Sequence, residues 1–93
     1  MILEELYGVL VDRKVNPKEG SYTSKLLYHE KGVNAILEKL GEECAELIVA
    51  VKDGKRDEIV YEFCDLLYHM LVLLVKLDIG LDEVWRELER RRR

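Results

Sequence analysis

Along "ILEELYGVLVDRK" the apolar residues Ile2, Leu3, Leu6, Val9 and Leu10 recur at helical spacing, and Asn16-Pro17 ends the run. The next stretch, "PKEGSYTS", reads as a loop. Ser21 or Thr23 caps a short second helix that runs to about Tyr28 and stops before Gly32. A third helix, "AILEKLGEECAELIVAVKD", takes Asn34 as its N-cap and Gly54 as its C-terminal residue. The fourth extends from about Asp57 to Asp78 and meets Ile79-Gly80, after which Asp82 caps a last helix, "EVWRELERRRR". No alternating strand pattern and no hairpin dipeptide interrupt this series. The expectation is an all-α fold: a helical bundle with two long antiparallel helices at its centre.

Helical wheels sharpen the reading of the two long segments. With Ile36 at about 0°, Leu40, Cys44, Leu47, Val51, Leu37 and Ile48 span an arc to about 120°, the expected core face. On the same wheel Glu43 falls at about 340°, Lys39 at about 300°, Glu46 at about 280° and Glu42 at about 240°. Glu43 and Glu46 therefore begin at the edge of the core, and Glu42 lies further out. The fourth segment, "IVYEFCDLLYHMLVLLVKL", is apolar or aromatic around most of its circumference. Only Glu62, Asp65, His69 and Lys76 interrupt it, in one stripe of roughly 60°. A helix that is apolar nearly all round must be covered nearly all round, and four short neighbours do not suffice. A second copy of the chain is expected to complete the bundle, giving a homodimer or higher homo-oligomer.

Side by side, the two helices bring Glu43 and Glu46, spaced i, i+3, against Glu62 and Asp65, also spaced i, i+3. A carboxylate taken out of water needs a basic partner, a proton or a metal. At about 4 Å and an effective dielectric near 20, each like-charged pair repels by roughly 4 kcal/mol, which protons relieve only at low pH. A hard divalent cation relieves it at neutral pH. Carboxylates without cysteine or paired histidine favour Mg²⁺ or Mn²⁺ over Zn²⁺, and Mg²⁺ suits a site that keeps waters or phosphate oxygens. E-E-x-x-E alone is common on solvated helix faces. Its conjunction with E-x-x-D in an otherwise apolar helix is what points to metal. His69, one turn beyond Asp65, is expected to orient a carboxylate by hydrogen bonding from outside the ligand set.

Composition narrows the function classes. The 93 residues carry a net charge of −4, and the four arginines at 90 to 93 supply four positive charges, so the rest of the chain stands at −8. Such a body does not suit a nucleic-acid backbone, and the terminal arginines complement a helix dipole. Cys44 and Cys64 have neither metal nor disulfide spacing and are expected to be buried free thiols. No apolar run reaches a membrane span and "MILEELYGVL" carries acids where a signal peptide carries bases, so a cytoplasmic single domain over residues 1–93 is expected. Tyr7, Tyr28, Tyr61, Tyr68 and Trp85 read as core or interface.

"GEECAE" followed by "EFCDLLYH" resembles the E-E-x-x-E and E-x-x-D signature of the all-α, MazG-like nucleoside triphosphate pyrophosphohydrolases. Within that superfamily, "RKVNPKEGSYTSKLL" and "DLLYHMLVLL" resemble the phosphoribosyl-ATP pyrophosphohydrolases of histidine biosynthesis, from Leu6 to Arg90. Cysteine in "GEECAE" stands where a small residue such as alanine is expected, and the acids are untouched. The resemblance implies Mg²⁺-dependent hydrolysis of 1-(5-phosphoribosyl)-ATP to the AMP derivative and pyrophosphate, with the following step on another chain. It implies Glu43, Glu46, Glu62 and Asp65 as metal ligands and Glu42 as the acid that orients or deprotonates water. Lys39 is then the first choice for a phosphate contact. Arg13, Lys14 and Lys25 flank Ser21, Tyr22 and Thr23 in a segment expected to close over phosphates or ribose. Two alternatives stand beside this reading: a housekeeping pyrophosphohydrolase acting on ordinary or damaged nucleotides, and a non-catalytic dimerisation module with a structural metal.

Overall fold

The computed structural model describes residues 1–92. Among the described residues there are five helices: α1 (Ile2–Val15), α2 (Tyr22–Leu27), α3 (Val33–Asp53), α4 (Arg56–Lys76) and α5 (Leu81–Arg91). No strand occurs among the described residues, so the fold is all-α as the apolar periodicity requires. Arg93, the last of the terminal arginines, lies outside the described residues.

Local chemistry fixes the helix ends. The Ser21 hydroxyl accepts the Ser24 amide at 3.2 Å and caps α2. Two expected caps are displaced. Gly32, at φ 63° and ψ −139°, precedes α3 and leaves Asn34 inside the first turn, because only glycine takes that backbone conformation without strain. At α5 the Glu83 carboxylate reaches back to the Gly80 amide at 2.9 Å, so the helix starts at Leu81 and Asp82 lies in the first turn, where it complements the dipole. Gly54 closes α3 in the left-handed conformation, and with Lys55 it makes the tight connection that lays α4 back along α3. Helix α4 ends at Lys76, just short of the expected Asp78. Asp78 takes φ 58° and the Ile79 amide closes on the Leu74 carbonyl at 2.9 Å.

The core gathers Leu10 of α1, Leu26 and Leu27 of α2, Ile36 of α3, Leu71, Val72 and Val75 of α4, and Leu81. It therefore occupies the end of the α3–α4 pair that α1 and α2 cover. Towards the Gly54 connection the same two helices are bare: Ile48, Val49, Val51, Val60, Tyr61 and Phe63 are all exposed. Cys44 and Cys64 are free but exposed, which corrects the expectation of buried thiols. The inner face of α3 is the line Ile36, Leu40, Glu43, Leu47 and Ala50, rotated by roughly 60° from the centre of the apolar arc. Leu37, Cys44, Ile48 and Val51 are left facing outward.

Polar contacts secure the covered end. The Tyr7 hydroxyl donates to the Ile79 carbonyl at 2.8 Å, and the Lys76 ammonium donates to the Leu27 carbonyl at 2.7 Å. Lys14 donates to the Val75 carbonyl at 2.9 Å and to the Asp78 carboxylate at 2.6 Å. This cation satisfies a carbonyl at the C-terminal end of α4, where the helix dipole favours it. Replacing Lys14 with Met keeps the aliphatic stem and removes the donor. We expect a loss of about 1–2 kcal/mol, read from urea unfolding midpoints at unchanged m-value; an unchanged midpoint would show the contact to be without consequence.

Candidate metal centre

Four carboxylates meet where α3 crosses from the covered to the bare end of the hairpin. One ligand oxygen from each of Glu43, Glu46, Glu62 and Asp65 lies within 4.8 Å of all the others. Glu43 and Glu46 occupy successive turns of α3, and Glu62 and Asp65 do the same on the antiparallel α4, so the two i, i+3 pairs oppose each other. Glu43 is the anchor. It is 3 % exposed, at the centre of the helix interface and not at its edge, because the inner face of α3 is rotated toward the acids.

Two oxygens, Glu43 Oε2 and Glu62 Oε2, are buried without a hydrogen-bond partner. A buried acceptor left unpaired costs roughly 1–3 kcal/mol, more when charged. Among the described residues Lys39 is paired with the cluster, its ammonium lying 3.4 Å from Glu43 Oε1 and 3.1 Å from Glu42 Oε2. One lysine shared between two glutamates does not neutralise four acids. An all-oxygen donor set with two orphaned oxygens fits a hard divalent cation.

Titration reflects the crowding. Burial, then the neighbouring Glu43 carboxyl, hold the Asp65 carboxyl above its ordinary value, while His69 and Lys39 pull the other way. Hydrogen bonding to Glu42 raises the Lys39 ammonium above its ordinary range, so it remains a cation at neutral pH. Burial raises the Tyr22 phenol, keeping its proton in place.

Helix α2 lies over the site. Tyr22 meets the Nε2 atom of His69 at 3.1 Å, and the Thr23 hydroxyl is hydrogen-bonded to the Tyr68 hydroxyl. The rings of Tyr22, Tyr68 and His69 pack together, with Tyr68 and His69 edge to face at 5.0 Å. Beside this latch a groove of about 350 Å³ runs from α2 to Glu42, lined by Lys25, His29, Lys31 and Lys39. Glu42 itself is exposed at the rim.

The expected site residues separate into groups. Glu43, Glu46, Glu62 and Asp65 come together, with Lys39 and Glu42 adjacent and Tyr22 and Lys25 on the groove. Ser21 is taken up as the α2 cap and Thr23 is buried against Tyr68. Arg13 is engaged with Asp12 at 3.2 Å. Lys14 does not line the groove and is tied to the end of α4. His69 is corrected in its partner: its Nδ1 meets the backbone carbonyl of Asp65 at 2.7 Å, not a carboxylate, because i to i+4 on one helix brings the ring onto that carbonyl. Residue spacing misses His29 and Lys31. Their signal is the run of cations and polar residues through "KLLYHEKG", which the turn at Gly32 folds onto Lys39.

Comparison with known proteins covers nearly the whole chain. A family model described as phosphoribosyl-ATP pyrophosphohydrolase matches residues 3–92. A phosphoribosyl-ATP pyrophosphatase of Methanococcoides burtonii is 56 % identical over 91 residues, 98 % of this chain and 92 % of its own length. One from Methanocella arvoryzae is 53 % identical over 92 residues, 99 % of this chain and 97 % of its own. A histidine biosynthesis bifunctional protein of Caldanaerobacter subterraneus is 52 % identical over 90 residues, 97 % of this chain and 43 % of that longer protein.

The raised Asp65 carboxyl has a stability consequence with a definite sign. Stability from its protonation is present below the ordinary carboxylate value of 3.8 and is lost as pH rises through the raised value. In metal-free buffer at pH 7, Asp65→Asn should therefore melt higher than the parent, by on the order of 5 °C, and the gap should close as pH falls below that range. Added Mg²⁺ should raise the parent's melting temperature by mass action and leave the variant's unchanged. Thermal melts with and without EDTA read both effects; a parent that ignores Mg²⁺ would exclude the cluster as its site.

Proposed function

The chain belongs to the phosphoribosyl-ATP pyrophosphohydrolase family, and from that premise we propose that it hydrolyses 1-(5-phosphoribosyl)-ATP to 1-(5-phosphoribosyl)-AMP and pyrophosphate, with Mg²⁺ bound at the four-acid cluster, in the cytoplasm. The observation that carries the metal part is the pair of orphaned buried oxygens, Glu43 Oε2 and Glu62 Oε2, within a set of four converging carboxylates. Among the described residues no helix is long and apolar enough to cross a membrane.

Glu43, Glu46, Glu62 and Asp65 hold the cation, which supplies charge neutralisation to the polyphosphate when bound. The remaining work falls to the chain's own groups. Lys39, Lys25 and Lys31 offer ammonium donors to phosphate oxygens along the groove. Glu42 stands one residue before the innermost ligand and points about 100° away from it, so it serves water and not metal. As the water oxygen bonds to phosphorus, Glu42 accepts its proton, the anhydride bond between the α- and β-phosphates breaks, and pyrophosphate departs with the electron pair. The Lys39 ion pair keeps Glu42 beside the cluster until substrate phosphates draw the lysine away.

The acting species is a homodimer or a larger homo-oligomer. A folded monomer of 10.9 kDa exposes about 5,600 Å² by the usual scaling, whereas this chain exposes 6790 Å². The difference is on the order of what one partner loses in a stable interface. It falls where the chain is bare, on Leu37, Ile48 and Val51 of α3 and Val60, Phe63 and Met70 of α4. Sedimentation should show no folded monomer at micromolar concentration, and Phe63→Asp should shift the distribution to monomer; a folded parent monomer excludes the arrangement.

Pyrophosphate release from phosphoribosyl-ATP, with and without Mg²⁺ and against a panel of ordinary nucleoside triphosphates, tests the activity itself. Equal turnover of the panel would favour a housekeeping enzyme, and no release at all a structural metal. Within the same assay, Glu42→Gln should lower kcat by roughly 10²- to 10⁴-fold with metal affinity nearly intact. Glu43→Gln should instead weaken metal binding, with partial rescue at high Mg²⁺. Calorimetric titration of Mg²⁺ alongside the kinetics decides the assignment, and the reverse pattern would exchange the two roles.

A further inference from the structure

Two grooves meet along α2. The inner one runs to Glu42 beside the acid cluster; the outer one, of about 640 Å³, lies between α2 and residues 17–21 and is lined by Lys18, Glu19, Ser21 and Tyr28. Tyr22 and Lys25 line both grooves and so form the ridge between them. The outer wall is held in shape from beneath. The Lys18 amide donates to the Ser24 hydroxyl at 3.0 Å, and the buried Ser24 in turn donates to the Arg13 carbonyl at 3.3 Å. The Ser21 amide closes a turn on the Lys18 carbonyl at 3.1 Å, with Gly20 at φ 85°, a conformation that glycine takes without strain. Across the groove the Tyr28 hydroxyl donates to the Lys14 carbonyl.

The lysines of this groove differ from those of the inner one. Lys31 is paired with Glu38, and Lys39 with Glu42 and Glu43, whereas neither Lys18 nor Lys25 forms an ion pair among the described residues. Two uncommitted ammonium groups on one opening, in a chain of net charge −4, suit an anion. Glu19 beside them accepts hydrogen bonds and repels phosphate, so it suits hydroxyls. A sugar phosphate carries both. The substrate proposed above has one such group that ATP lacks: a 5-phosphoribosyl unit on N1 of the adenine, across the base from the adenosine ribose. With the triphosphate at the acid cluster, that unit is the end of the molecule furthest from the reacting bond. The outer groove lies correspondingly across the Tyr22 and Lys25 ridge from the groove that reaches Glu42.

We propose that the outer groove is the subsite for the N1-linked phosphoribosyl group: Lys18, with Lys25 from the ridge, binds its 5-phosphate, Glu19 accepts from its ribose hydroxyls, and the adenine crosses the ridge at Tyr22. The inference rests on the phosphoribosyl-ATP reading above and deepens it, naming the residues that separate this substrate from ordinary nucleoside triphosphates. A phosphate monoester is close to doubly charged at neutral pH, so its contact with an ammonium is charge-assisted. The turn that carries Lys18 is already fixed through Ser24 and Gly20, which spares binding the cost of ordering it. Because the subsite is remote from the bond that breaks, it holds ground state and transition state alike. Its loss therefore raises KM and leaves kcat nearly unchanged.

The test compares kcat and KM for phosphoribosyl-ATP, for 1-ribosyl-ATP, which lacks the 5-phosphate, and for ATP, in the parent, Lys18→Met, Lys18→Arg and Glu19→Ala. Lys18→Met should raise KM for phosphoribosyl-ATP about 10-fold, the range of one charged hydrogen bond, and leave 1-ribosyl-ATP and ATP as in the parent. Lys18→Arg keeps the cation and should retain most of the preference. Glu19→Ala should raise KM for 1-ribosyl-ATP about 3-fold and leave ATP unchanged. Calorimetric binding of the product, 1-(5-phosphoribosyl)-AMP, reads the same contact without turnover, and its Kd should also rise about 10-fold in Lys18→Met. An inactive parent that still shows this rise refutes the hydrolysis reading alone and leaves the subsite supported. Equal losses on all three substrates would mark a structural role for the turn. That result, or a Lys18→Met variant with KM and Kd unchanged, overturns the proposal.

Discussion

Like-charge repulsion inside a helix interface is the constraint around which this chain is arranged. Glu43 takes a position that packing would give to leucine, between Leu40 and Leu47 on the inner line of α3. The interface tolerates it because Glu46, Glu62 and Asp65 offer with it a common set of oxygens, and because Lys39 supplies partial charge from the side. Everything nearby adapts. Ala50 is the small residue one turn after Leu47, α2 lies across the top with its aromatic latch, and the cations of the groove line the open side. Left to itself the cluster carries this repulsion as lost stability, and the cation proposed for it would turn the same repulsion into binding affinity.

Much of this is legible from residue spacing. Helical periodicity yields five helices, and the two i, i+3 acid pairs yield the cluster, because both signals depend only on geometry within one helix. What fails depends on relations between helices. A wheel fixes angles around one axis but not how that axis is turned toward its neighbour, so the apolar arc of α3 reads as the inward face. In fact only Ile36, Leu40 and Leu47 of that arc turn inward, and Cys44 remains outside. Sequence distance likewise hides the end of α4, where Lys14 is engaged. The partner of His69 is misjudged because a backbone carbonyl leaves no mark in a list of side chains.

The same division explains the Asn34 and Asp82 caps. Both residues are good caps by type, and each loses to a local competitor whose advantage is conformational: a glycine able to take positive φ before α3, and a glutamate at the third helical position of α5. Side-chain propensity names candidates. Backbone geometry then chooses among them.

The short connection at Gly54 and Lys55 makes the acid cluster local in the chain. Every acid of the cluster lies between Glu43 and Asp65, inside one helical hairpin, and closing that loop costs little chain entropy. The long-range part of the fold, α1 against α4, need not be in place for the acids to meet. Low contact order therefore favours the hairpin that gathers the charges as an early element, and the covering helices bring the longer-range contacts.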